Sequence, residues 1–153
     1  MRSEDIAAVE AILGYTFRDP SLLECAMTHR SYANEHVCAS NGRLEYLGDS
    51  VLNMIVAEHL YRTCKEEEGI LTDLRQHIVS ETPLADAVRA MGIFSYYRLG
   101  KGAQKCKDAF GEKPTSDIFE SLLGAVYLDG GIAPARAFVE RHLLSRERTD
   151  DPL

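Results

Sequence analysis

Four carboxylates stand where chemistry is possible. Glu45 and Asp49 are four residues apart in LEYLGDSVL; Asp117 and Glu120 are three apart in SDIFESLLGAVYL. On a helix, either spacing brings both side chains to one face. Both segments are otherwise apolar: Leu44, Leu47, Val51 and Leu52 crowd the first pair, and Ile118, Phe119, Leu122 and Leu123 the second. A buried carboxylate needs compensation, and a hard divalent cation supplies it. Magnesium prefers oxygen ligands and keeps several waters, so two to four carboxylates suffice. No His or Cys cluster accompanies them, which argues against zinc. Such an ion lowers the pKa of bound water for attack on phosphorus, and a second one about 3.5–4 Å away can stabilise the leaving oxygen. Spacing alone leaves a second reading open, because acid pairs at these intervals are common on solvated helix faces. Gly48 and Gly124 favour the first reading: without side chains they let two helices approach closely with the acids between them.

The elements that must carry these residues read as helices. No sustained period-2 alternation and no internal repeat is found. Ile6, Val9, Ile12 and Leu13 have helical spacing, and Gly14 stops that segment. Asp19-Pro20 is a cap followed by Pro at the first helical position. Residues 31–42 read as a loop. A long helix runs from about Arg43 to Thr63, apolar around much of its circumference and therefore central. Lys65 to Gly69 reads as a charged turn. Thr72 is expected to cap the next helix, and Thr82-Pro83 to open another through Met91. Gly100 to Thr115 reads as a loop, with a helix from about Ser116 to Gly130-Gly131. A last helix carries Ala135, Phe138, Val139, Leu143 and Leu144, and a polar tail follows.

Composition sets the frame. The 153 residues suit one domain with a single core, and 45% hydrophobic with 27% charged residues is a soluble globular profile. No apolar run is long enough for a membrane span. The start, MRSEDIAAVEAI, lacks the features of a signal peptide, so cytoplasmic residence is the default expectation. Cys25, Cys38, Cys64 and Cys106 form no CxxC and are expected to be reduced thiols. The net charge of −7 disfavours a nucleic-acid partner at first sight. Two divalent ions would offset four of those charges locally and turn an acidic cluster into a phosphate-binding surface.

The segment NGRLEYLGDSVL, Asn41 to Leu52, resembles the signature of the ribonuclease III family, approximately NERLEFLGDxVL. Upstream, GYTFRDPSLLECAMTHRSYANE is similar to the family's GYxFxDxxLLxxALTHxSxxNE. Downstream, EEGILTDLRQHIVSETPLA resembles EGxLTxLRxxLVxxxxLA, RLGKG follows, and SDIFESLLGAVYLDGG is similar to ADxFEALxGAxYLDGG. The match runs in consistent order from about Val9 to Leu144. The resemblance implies an all-α endonuclease domain over residues 1–145, a homodimeric helical bundle, with 146–153 as a polar tail. It implies hydrolysis of double-stranded RNA, such as rRNA precursors, with Mg2+ (Mn2+ as substitute), leaving 5′-phosphate and 3′-hydroxyl ends. Glu45 and Glu120 would be direct metal ligands, and Asp49 and Asp117 would bind or orient ligands and water. Asp49 and Glu120 are the catalytic pair expected to matter most. Tyr46 matches the family's aromatic residue that inserts into the partner subunit; a core aromatic of one subunit is the alternative.

Two departures stand out. The family usually has Glu where this chain has Gly42, and many members continue into a double-stranded-RNA-binding domain. The sequence leaves open a nuclease domain from a longer chain or a compact member such as Mini-III, its motifs lying closer to the standard bacterial enzyme. Glu68 matches a family acid near the dimer cleft or is a plain surface acid. Lys101, Lys105, Lys107 and Lys113 contact RNA phosphates or form a solvated loop. His29, in Thr28-His29-Arg30-Ser31, is read as structural. Competing functions are a non-catalytic RNA-binding protein on the same fold and an all-α nucleotide pyrophosphohydrolase, though the latter's ExxE plus ExxD pattern is missing.

Overall fold

The computed structural model describes residues 1–106 and 110–146; the expectations placed on Lys107 and on the tail after Arg146 lie outside them. The helices are α1 (Ser3–Leu13), α2 (Pro20–Ala26), α3 (Arg30–His36), α4 (Gly42–Thr63), α5 (Glu68–Ile78), α6 (Glu81–Met91), α7 (Lys101–Gln104), α8 (Glu112–Gly130) and α9 (Ile132–Val139). A 3-10 turn spans Phe94–Tyr96, and α9 continues into a π-helical turn at Glu140–Leu144. Among the described residues there is no strand, only an isolated bridge between Thr28 and Arg98. The expected all-α class holds.

Helices α4 and α8 form the centre, and α6, α9 and α2 pack around α8. From α8, Phe119, Leu122, Leu123, Ala125 and Val126 are fully buried; α4 contributes Leu52, Ile55, Val56 and Leu60. Each large side chain so buried contributes about 1.5–3 kcal/mol. The two helices meet backbone to backbone. A Cβ on Gly48 would overlap the Glu120 carbonyl oxygen, and one on Gly124 would overlap the Leu44 carbonyl oxygen. Only glycine permits this approach, as the sequence suggested.

The entry to α4 is anchored rather than capped. Asn41 is buried and makes no side-chain cap bond. Its amide donates to Tyr97 Oη at 3.0 Å, and its backbone N–H donates to the Thr28 carbonyl at 2.9 Å. Thr28 in turn accepts from Arg98 Nη2 at 2.6 Å, and His29 N–H donates to the Arg98 carbonyl at 2.9 Å. The motif segments around residues 28, 41 and 98 thus lock one another in place.

Several boundaries differ from the sequence reading. Residues 30–36 form α3, with His29 Nδ1 accepting from Ser31 N–H as its cap. Only Ala33 of that helix is buried, so no apolar period marks it. Thr72 lies inside α5, which starts at Glu68. An acid in the first turn suits the helix dipole there. Thr82-Pro83 and Pro114 fall within the first turns of α6 and α8. A missing N–H costs no helical bond at such positions, so Thr82-Pro83 marked the start of α6 late, and Pro114 lies inside α8 rather than in the expected loop. Part of the loop expected at 100–115 is the short helix α7.

Gly48→Ala should lower stability by about 3 kcal/mol through overpacking, or roughly 6–12 °C in melting temperature. Gly42→Ala, whose new methyl would meet only Ser40 Oγ at 3.7 Å, should melt at or above the parent temperature, since alanine favours helix. Thermal unfolding followed by circular dichroism checks both.

Candidate metal centre

The close crossing of α4 and α8 determines where the acids stand. Glu45 precedes Gly48 by almost one turn, and Glu120 precedes Gly124 by just over one, so both lie at the contact. Glu45, Asp117 and Glu120 each bring a carboxylate oxygen within 4.8 Å of the other two. All three are half-buried. Glu45 and Asp117 share a side-chain hydrogen bond, and so do Glu120 and Asp49. Three of the four expected acids therefore converge. Asp49 stands apart from them on the exposed side and touches the group through Glu120.

The acids of the cluster act on one another. Burial, then the hydrogen bond and charge of Asp49, push the Glu120 carboxyl up to about 9. Burial and the neighbouring Asp117 push Glu45 up as well. Close carboxylates resist ionising together, and the Glu120 carboxyl bears most of that resistance. The donor set is all oxygen, with no His or Cys in it, and fits a hard divalent ion.

A cleft of about 230 Å³ opens beside the cluster, lined by His29, Arg30, Gly42, Glu45, Lys113 and Asp117 among others. Lys113 Nζ pairs with Asp117 Oδ1 at 3.4 Å. Arg30 acts on Glu45 with a positive charge. His29 Nδ1 is committed to Ser31, and burial lowers its pKa, which agrees with a structural role. Gly42 is exposed at the first residue of α4 with room for a side chain, so the missing family glutamate is a loss of charge, not a steric requirement.

Of the other expected residues, Glu68 is exposed at the start of α5 and is not one of the three converging acids. Lys101 and Lys105 are exposed in and after α7. Tyr46 is 81% exposed and points away from its own core, so the core-aromatic alternative fails. A relay missed in the sequence reaches Asp49: Arg75 Nη1 donates to Asn53 Oδ1 at 3.0 Å, and Asn53 Nδ2 donates to the Asp49 carbonyl at 2.8 Å and to Oδ1 at 3.4 Å. The Asp49–Asn53 spacing of one helical turn was its only visible signal.

The all-helical bundle is shared with solved ribonuclease III nuclease domains. The nuclease domain of ribonuclease III from Campylobacter jejuni superposes with a TM-score of 0.84 at 30% identity, covering 92% of this chain and 96% of that one. That structure was described for flexibility in a region involved in dimer formation. Dicer from Giardia intestinalis matches with a TM-score of 0.71 at 25% identity, over 93% of this chain and 19% of its own. A family profile described as Ribonuclease-III-like matches residues 19–147. Ribonuclease 3 of Symbiobacterium thermophilum is 49% identical over 134 residues, 86% of this chain and 56% of the relative. That of Protochlamydia amoebophila is 43% identical over 136 residues, with the same coverage. The chain belongs to the ribonuclease III family, and it spans about half the length of these curated relatives.

The raised Glu120 pKa has a consequence for the metal-free protein. Folded Glu120 keeps a proton that the unfolded chain releases near 4.5, so stability falls as pH rises from about 4.5 towards 9. With chelator present, Glu120→Gln should remove part of the loss of melting temperature between pH 7 and 9. Parallel pH profiles for the two proteins would contradict the assignment.

Proposed function

We propose that the chain is the nuclease domain of an endoribonuclease that hydrolyses phosphodiester bonds of double-stranded RNA. The observation that carries this reading is the meeting of Glu45, Asp117 and Glu120 at the α4–α8 crossing of this fold. In this reading residues 1–145 form the domain and 146–153 a polar tail. Glu45, Asp117 and Glu120 would hold Mg2+, or Mn2+ in its place, with Asp49 orienting Glu120. A bound divalent ion supplies Lewis acidity and an activated water for attack on phosphorus. The chain's own groups do the rest. Asp49, steadied by Asn53 and Arg75, fixes the Glu120 carboxylate. Lys101 and Lys105, both exposed, would contact the duplex backbone. The products would carry 5′-phosphate and 3′-hydroxyl ends, and rRNA precursors are suitable substrates.

Two copies would complete the cleft. Tyr46 stands exposed beside an apolar groove of about 650 Å³ lined by Leu22, Cys25, Leu44, Leu47 and Leu128. Such a groove suits the Tyr46 ring of a second copy, and burial of both rings would favour a symmetric dimer. Glu68 would belong to the RNA cleft between subunits. No helix of the described residues is long and apolar enough to cross a membrane. We assign the protein to the cytoplasm, where RNA duplexes and free thiols such as Cys25 coexist.

Incubation with duplex RNA, single-stranded RNA and nucleoside triphosphates, with and without Mg2+, tests the reading. Metal-dependent cutting of the duplex alone is expected. Triphosphate hydrolysis would favour a pyrophosphohydrolase, and duplex binding without cutting a non-catalytic RNA-binding protein. Glu120→Gln should reduce cleavage at least about a hundredfold while duplex binding persists; full activity would overturn the site. Tyr46→Ala should lower the sedimentation mass at low micromolar concentration, and an unchanged mass would count against the seated ring.

A further inference from the structure

The carboxylate cluster already has a cation beside it. Lys113 is the second residue of α8, one turn before Asp117, and its ammonium lies 3.4 Å from Asp117 Oδ1. A lysine at that end of a helix faces the positive pole of the dipole, so its placement is not explained by α8 itself. Its side chain is 68% exposed and that of Asp117 only 21%. The lysine thus reaches in from solvent to a carboxylate that is largely covered. Gly42 lines the same cleft and offers no carboxylate that would draw the ammonium away.

Resting on the metal-site reading above, we propose that Lys113 is the resident counter-cation of the cluster, which a divalent ion must displace from Asp117, and that it thereby weakens metal binding. A lysine ammonium is charged over the whole neutral range, and at 3.4 Å from Asp117 Oδ1 it competes there with any other cation. A monovalent ammonium offsets less of the cluster's negative charge than a divalent ion would. It loses the competition once metal is plentiful but shifts the concentration at which binding occurs. Lys113 is a positioning residue here, acting through Asp117. Its effect must be modest, because an exposed pair is screened by solvent and salt.

Titration of the chelator-treated chain with MnCl2, followed by calorimetry at low ionic strength, tests this. Lys113→Met keeps the aliphatic stem and removes the charge; it should bind Mn2+ roughly two- to fivefold more tightly, the range expected for an exposed ion pair. Lys113→Arg should bind like the parent, and the gain in Lys113→Met should shrink in high salt. Equal or weaker Mn2+ binding by Lys113→Met, with measurable binding by the parent, overturns the counter-cation role alone. Absence of Mn2+ binding in both proteins overturns the metal-site reading and this inference together.

Discussion

Helices α4 and α8 touch through their backbones at Gly48 and Gly124. Everything at the site depends on that contact. Ordinary helix pairs keep their axes about 8–10 Å apart because side chains fill the space between them. Where glycine removes those side chains, residues one turn away on each helix come within reach of one another. Glu45 is carried by one helix and Glu120 by the other, and Asp117 joins them from the turn before. The large apolar residues on either side of the crossing hold the helices at that distance. A single methyl at the contact would push apart the groups that the rest of the fold brings together.

The same closeness creates an electrostatic problem. Three half-buried carboxylates repel one another, and the isolated chain relieves this by raising the Glu120 and Glu45 pKa values and by pairing Lys113 with Asp117. The cluster is thus costly to folding and suited to a cation, a common relation at functional sites. The network from Thr28 through Asn41 to Tyr97 and Arg98 fixes the start of α4 and hence the position of Glu45. Its links are backbone groups, the neutral side chains of Thr28, Asn41 and Tyr97, and the Arg98 guanidinium that grips Thr28.

Much of this was legible in the residues. Acid spacing and the two glycines pointed to facing helices, and the motif order pointed to the family. Helix α4, apolar around much of its circumference, was found nearly to the residue, and Gly14 marked the end of α1. The short helices were not found: α3 and α7 are little buried and held by contacts to distant segments. Thr82-Pro83 put the start of α6 late because proline is tolerated throughout a helix's first turn. The candidate site was less evenly readable. Spacing put Asp49 and Glu45 on one helix face, but which acid points inward depends on the crossing, and Asp49 remains outside. The Arg75–Asn53 relay joins two helices, and no local pattern encodes it.

The most direct measurement is a crystal structure of the chain soaked with Mn2+, read by anomalous scattering. A peak bounded by oxygens of Glu45, Asp117 and Glu120, at metal–oxygen distances of about 2.1 Å, is the predicted result. Manganese bound elsewhere at saturating concentration, with these three carboxylates left without an ion, would contradict the view that the glycine crossing builds a divalent-metal site.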